Sequence, residues 1–397
     1  MSVPKMSRSG SVPRTRVLPD LRPARIALLC AFALCACERE APPSTEPAAV
    51  RPAPPTEEKA LNLYIWNDYL APDTVAGFEK ETGIQVSVTN YASNEELEGK
   101  LAAGHSGYDV VVPSASFYQR QIRAGLYRKI DKSKLPNLSN LDPQLVQLMA
   151  LQDPGNDHAV LHMWGTYGMG YNVDKVKAAA PGAPLDSWKL GFDPATARKL
   201  QKCGIAMLES PAEMFRVALN AIGKDPNTTD PADIEAAAAA LMKIRPYLRY
   251  VQTDRIIGDL ANGEICLAIG YLGDFLQARD RAAESHTGQK IAYVVPKDGS
   301  ILWFDSYLIP KDAPHPGNAH AFIDYMLRPQ VIASVTNAIH YANGNVKATS
   351  LVDPTVRDDP GVYPPSETRA KLVPALADSP QNARLMTRLW TKFMTGR

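Results

Sequence analysis

From Leu61 onward, short runs of alternating apolar and polar residues are separated by stretches whose apolar residues recur three and four positions apart, the signature of strands alternating with helices. Leu61, Leu63 and Ile65 predict a strand that ends on Trp66-Asn67-Asp68-Tyr69. Ala71-Pro72-Asp73 then opens a helix that stops at Gly83, with Pro first and Gly last. A second strand is predicted over 84–89. Ser93 and Glu96 form a capping box for the helix carrying Leu97 and Leu101, and a third strand runs over 108–112. This βαβ order predicts a parallel sheet. Right-handed crossovers then bring Pro113-Ser114 to the same rim as Asp68, so Ser114 can offer a hydroxyll to one crevice.

The run LHMWGTYGMGYNV, 161–173, is extended but interrupted by Gly165, Gly168 and Gly170. No helix pattern opens after these glycines at the spacing a dinucleotide fingerprint needs, so the run is read as a strand crossing between two lobes. A second βα series follows, with a strand over 204–208, a helix from Pro211 and an Ala-rich helix over 232–244. Thr253 to Leu260 predicts another helix, closed by Ala261-Asn262-Gly263. A buried strand over 264–271 places Gly273-Asp274 at its carboxyl end. Beyond a strand over 290–296, ILWFDSYLIP carries Trp303, Phe304 and Asp305, and helices are predicted over 317–327 and 329–338. Tyr341 falls in a loop, YANGN.

The amino end has a different texture. Basic residues from Lys5 to Arg25 precede an apolar run over 26–34, too short to span a bilayer, so residues 1–36 read as an export signal. Leu34-Cys35-Ala36-Cys37 resembles a bacterial lipobox with Cys37 as the lipidated residue, and 37–59 is a Pro-rich tether. Residues 1–36 hold six basic groups and one acidic group, so the overall +1 falls to about −4 once they are removed. No basic stripe remains to suggest nucleic acid. Cys203 and Cys266 are then the remaining free thiols, and an oxidising compartment predicts that they pair. With 397 residues, two compact units are expected.

Three groups pair an aromatic with a carboxylate at predicted strand ends or crossings: Trp66 with Asp68, Tyr271 with Asp274, and Trp303 with Asp305. An aromatic face beside a negative charge suits an organic cation. Glu213, early in the helix after Pro211, is a fourth acid at that rim. Paired carboxylates also serve glycoside cleavage, which requires two at a fixed separation that sequence does not give. The seven histidines form no HExxH and no Cys/His spacing suited to zinc, and GxSxG is absent. No catalytic residue, metal or cofactor is assigned.

WNDYLAPDTVAGFEKETGIQV, GYDVVVPSASF, GYNVDKVK, LANGEICLAIGYLGD and RPQVIASVTNAIHYANGN together resemble the periplasmic polyamine-binding proteins of bacterial ABC transporters, the putrescine-binding component above all. The resemblance implies a two-lobed type II periplasmic binding protein fold of α/β class, each lobe a mainly parallel sheet flanked by helices, joined by hinge strands. It implies acidic pocket positions at Asp68, Glu213, Asp274 and Asp305, and an aromatic box of Trp66, Tyr69, Tyr271, Trp303 and Tyr341. Polar positions fall on Asn67, Ser114 and Thr253, and the family disulfide falls on Cys203 and Cys266. The resemblance implies a periplasmic protein that passes putrescine or spermidine to permease subunits, and the lipobox adds a lipid anchor; a monomer is expected, and a sensor or scavenger uncoupled from transport is the alternative. Asn67, Tyr271 and Trp303 stand where the putrescine pattern has Ser, Trp and Phe. Ser116 and Ser210 lack the Tyr and Asp of spermidine-binding relatives, which leaves a hybrid pocket.

Overall fold

A computed structural model describes residues 57–396; the export signal, Cys37 and most of the tether lie outside the described residues. β1 (Ala60–Trp66) forms the centre of a three-stranded parallel sheet between β2 (Gln85–Tyr91) and β3 (Val110–Val111). Leu61, Leu63 and Ile65 are fully enclosed, as the alternation requires. β2 is the edge strand, which is why most of it stays exposed. Gly83 closes the first helix, Thr74–Thr82, in the left-handed conformation, with φ 70°.

The long strand β4 (Val160–Asn172) is buried along all its 13 residues because both its halves lie inside a sheet. Its first half pairs antiparallel with β9 (Ser300–Tyr307) and with the short β10 (Ala342–Asn343). Its second half pairs antiparallel with β7 (Leu267–Tyr271) and β8 (Ile291–Val294). Beyond β7 the sheet continues in parallel through β5 (Ile205–Met207) to β6 (Tyr250–Val251), and β11 (Leu372–Pro374) lies parallel on β9. Bridges between Ser114 and Asp305, and between Val111 and Leu308, tie the first sheet to β9. Thus β4 and β9 are common to two α/β halves, and both halves turn the carboxyl ends of their parallel strands toward one crevice.

Glycine at 165 has a packing reason: a Cβ there would collide with the indole of Trp303, its partner across the ladder. Cys203 and Cys266 form a disulfide spanning 63 residues of sequence, as expected.

Two local expectations need correction. The helix expected from Thr253 begins at Ile256, because the Thr253 hydroxyl accepts the Glu209 backbone N–H at 3.1 Å and is held in the preceding turn. Tyr341 lies in a loop as expected, but within YANGN the next two residues, Ala342-Asn343, form the short strand β10 by pairing with Trp164 and Met163. Ser93 caps its helix through Glu96 N–H as expected, while the Glu96 carboxylate reaches back to Ala92 N–H, one residue short of a full capping box.

Candidate functional site

A cavity of about 370 Å³ opens where the strand ends converge, and all twelve residues singled out in the sequence line it. One wall is built on β1, β3 and β9. Asp305, only 6% exposed, accepts the Ser114 hydroxyl at 2.6 Å on one oxygen and the Tyr69 hydroxyl at 2.8 Å on the other. Ser114 is itself fixed by Asn94: its N–H donates to the Asn94 side-chain oxygen at 2.9 Å, and its Oγ accepts the Asn94 amide at 3.1 Å. Trp66 donates its indole N–H to the Val112 carbonyl at 2.9 Å, which anchors the ring at the crevice floor. Asn67 and Asp68 follow as exposed residues of a turn, and Asp68 adopts a left-handed φ of 50°, a conformation Asp tolerates better than most residues.

The opposite wall is built on β4, β5 and β7. Glu213, 5% exposed in the first turn of the helix Pro211–Ala221, meets the hydroxyl of Tyr271. Tyr167 of β4 lies opposite Tyr271 in the ladder, with ring centroids 5.4 Å apart. Asp274, half-buried at the start of the helix Leu272–Glu284, accepts the hydroxyl of Tyr341 at 3.2 Å. The Tyr341 ring packs over Gly273, where a Cβ would collide with it. Trp303 meets Tyr341 and Tyr271 edge-on at 5.3 and 6.2 Å, completing an aromatic frame between the two walls.

Among the described residues, the lining carries seven carboxylates (Asp68, Glu95, Glu209, Glu213, Asp254, Asp274 and Asp305) and no Lys, Arg or His. Asp305 and Asp274 are both pushed up to about 7, first by burial and, more weakly, by the nearby Glu213 charge. Burial likewise raises Glu213, against the hydroxyls of Tyr271, Tyr167 and Ser210 that favour its charged form. The arrangement is an enclosed, uncompensated negative charge among aromatic faces. Such a place favours a desolvated cation with an apolar body.

Several lining residues were not visible in the sequence. Tyr167 lies mid-strand in the Gly-interrupted run, Asn94 reads as an ordinary helix start, Glu95 has no neighbouring aromatic to mark it, and Gln277, two residues after Phe275, carries no charge. Ser210 lines the cavity, whereas Ser116 is buried away from it. Behind Tyr69, His162 packs edge-on at 5.1 Å and bonds to the Tyr307 hydroxyl at 2.6 Å; burial pushes it down to about 3, so it is neutral.

Comparison with known proteins agrees along nearly the whole described chain. Residues 73–364 match the family model of bacterial extracellular solute-binding proteins. The chain is 49% identical over 343 residues to the putrescine-binding periplasmic protein PotF of Escherichia coli, covering 86% of this chain and 93% of that one. It is 35% identical over 313 residues to the spermidine/putrescine-binding periplasmic protein of the same organism, covering 79% and 85%. A solved structure described as a putative spermidine/putrescine ABC transporter from Listeria monocytogenes superposes with a TM-score of 0.75 at 31% identity, covering 86% of this chain and 100% of that one. With two lobes sharing crossing strands, a cleft at their strand ends and this extent of similarity, the chain belongs to the bacterial extracellular solute-binding protein family.

Proposed function

We propose that this protein captures a polyamine, putrescine or spermidine, in the cleft and delivers it to the permease of an ABC transporter. The observation that carries the reading is the set of enclosed carboxylates Asp305, Asp274 and Glu213, which face a cavity lined by no basic residue among the described residues. Ammonium ends on Asp305 and Asp274 would supply the missing positive charge, while Trp66, Tyr271, Trp303 and Tyr341 cover the methylenes. Tyr69 and Ser114 position Asp305, and Thr253, Asn67 and Asp68 complete the rim. Similarity to putrescine- and spermidine-binding periplasmic proteins supports the same ligand class and a periplasmic location.

The two lobes, 60–164 with 300–345 and 165–299 with 346–397, would close on the ligand about β4 and β9, because full contact needs both walls. In this reading the protein is a monomeric binder rather than an enzyme, and Cys37 tethers it to a membrane. Calorimetry with putrescine and spermidine at pH 7.5 tests the ligand: saturable binding without turnover is expected, and no binding of either amine overturns the reading. Uptake of labelled putrescine by cells lacking the gene separates transport from sensing or scavenging; unchanged uptake favours the latter.

A further inference from the structure

Ser114 stands where serine usually has another task. It is the N-cap of the helix Ala115–Arg123, yet its side chain caps no N–H of that helix. An N-cap serine normally accepts the N–H two or three residues ahead. Here the hydroxyl turns the other way and donates to Asp305 Oδ1 at 2.6 Å.

The residue that fixes this choice is Asn94, the first residue of the helix Asn94–Ala102 and only 3% exposed. The Ser114 backbone N–H donates to Asn94 Oδ1 at 2.9 Å. A backbone N–H can only donate, so this bond decides which end of the amide is oxygen, and it leaves Nδ2 facing Ser114 Oγ at 3.1 Å. The amide NH2 can only donate as well. Ser114 Oγ therefore accepts from Asn94, and its own proton is directed to Asp305. A hydroxyl free to point either way is given one polarity, and the resulting bond to a carboxylate is of the strong, charge-assisted kind.

The frame around this pair is fixed independently. Tyr91, three residues before Asn94, is buried and donates its hydroxyl to the Val112 carbonyl at 2.5 Å, two residues before Ser114. The turn that carries Asn94 and the turn that carries Ser114 are thus joined at two points.

We propose that Asn94 is a positioning residue for the ligand: it commits the Ser114 hydroxyl to donate to Asp305, which holds that carboxylate ionised and aimed for an ammonium. The inference rests on the polyamine reading above. Among the groups around Asp305, the charge that reaches it is Glu213 of the helix Pro211–Ala221. Arg216 of the same helix is held by Asp378, Arg120 of the helix Ala115–Arg123 by Glu98, and His162 of β4 is neutral. Burial raises Tyr69, Tyr91, Tyr118, Tyr167 and Tyr341, whose hydroxyls stay neutral. All of these are common to the wild type and the variants below.

Calorimetry with putrescine at pH 6.0 and pH 8.5 tests the proposal in wild type, Ser114→Ala, Asn94→Ala and the double variant. Loss of a donor raises the Asp305 carboxyl further, so binding at pH 6.0 must displace a more tightly held proton, whereas at pH 8.5 the group is largely ionised in every variant. The affinity deficit of Ser114→Ala is expected to be about threefold to sevenfold greater at pH 6.0 than at pH 8.5, as for a rise of roughly half a unit to one unit from about 7. Asn94→Ala should show the same pH-dependent deficit to a smaller extent. The double variant should match Ser114→Ala, because Asn94 acts through Ser114. A packing defect lowers affinity by the same factor at both pH values, and that result in Asn94→Ala overturns the proposal. Additive losses in the double variant overturn it too. Should Asn94→Ala not fold, Asn94→Ser stands in for it, and a deficit independent of pH in Ser114→Ala overturns the proposal with no Asn94 variant at all. A wild-type protein that binds no putrescine at pH 8.5 overturns the polyamine reading, and this inference with it.

Discussion

Asp68 and Asp305 look alike in sequence, each two residues after a tryptophan, WND and WFD, yet they occupy opposite electrostatic situations. Asp68 sits in an exposed left-handed turn after β1, in contact with water. Asp305 is inside β9, enclosed, and held by two hydroxyls. The difference arises from strand length. β1 ends at Trp66, so its aspartate falls outside the ladder, whereas β9 continues to Tyr307 and keeps its aspartate within it. The same residue pair therefore yields a solvated rim charge in one place and a desolvated carboxylate in the other, and under the proposed function the desolvated one is expected to dominate affinity.

Asp305→Asn is the strongest way to test that contrast. Removing a buried charge partner is expected to weaken putrescine binding by roughly 10² to 10³ or more, from about 3 to 5 kcal/mol, measured by calorimetry. Asp274→Asn should follow with a somewhat smaller loss, since Asp274 is only half-buried. Near-wild-type affinity in both variants would remove the buried carboxylates as anchors.

The same variant has the opposite effect on stability. A carboxyl whose folded pKa is raised from about 3.8 to about 7 binds its proton more tightly in the folded state. Its stabilising contribution is complete below about pH 4 and is lost as pH rises through 7. Without ligand, Asp305→Asn should therefore gain stability relative to wild type between pH 4 and pH 7.5, by up to about 4 kcal/mol from three pH units at about 1.4 kcal/mol each. Thermal melts at the two pH values check this; parallel shifts would contradict it.

Ligand binding has the reverse dependence on pH. Ammonium ligands require ionised Asp305 and Asp274, so putrescine affinity should fall about tenfold or more from pH 7 to pH 6 and level off above pH 8. A flat profile would mean that neither group meets the ligand's charge. Smaller effects lie in the frame and at the rim. Trp303→Phe should shift preference toward the shorter amine by about threefold to tenfold, through lost apolar cover; unchanged relative affinities count against Trp303 as a selector. Asp68→Asn should cost no more than about fivefold, as for a solvent-screened charge, and a loss equal to that of Asp305→Asn would abolish the contrast.

Much of this was legible because local chemistry marks strand ends. Alternation located β1 and a buried apolar run located β7, which put Asp274 at a strand's carboxyl end, and the handedness of the crossovers assigned Ser114 to the rim of Asp68, whereas ILWFDSYLIP was not assigned to the strand β9 that it forms. What was not legible depends on register between distant segments. Nothing local announces that Tyr167 faces Tyr271, or that Asn94 orients Ser114, because those contacts arise from how sheets and helices meet. Asp68 and Asp305 could not be ranked for the same reason: burial is a property of neighbours, and the neighbours come from elsewhere in the chain.

β4 has a further consequence as a measuring strand. Asp305 is paired with Met163 and Tyr271 with Tyr167, four residues along the same backbone, which corresponds to about 13 Å at 3.2–3.4 Å per residue. One continuous chain thus sets how far apart the two walls are rooted, a spacing that hinge closure leaves unchanged and that sequence can alter only in whole-residue steps. Steps of that size are too coarse to tell one methylene from the next. Discrimination among ligands of similar length is therefore left to the rings between the walls, which can evolve without disturbing the ruler.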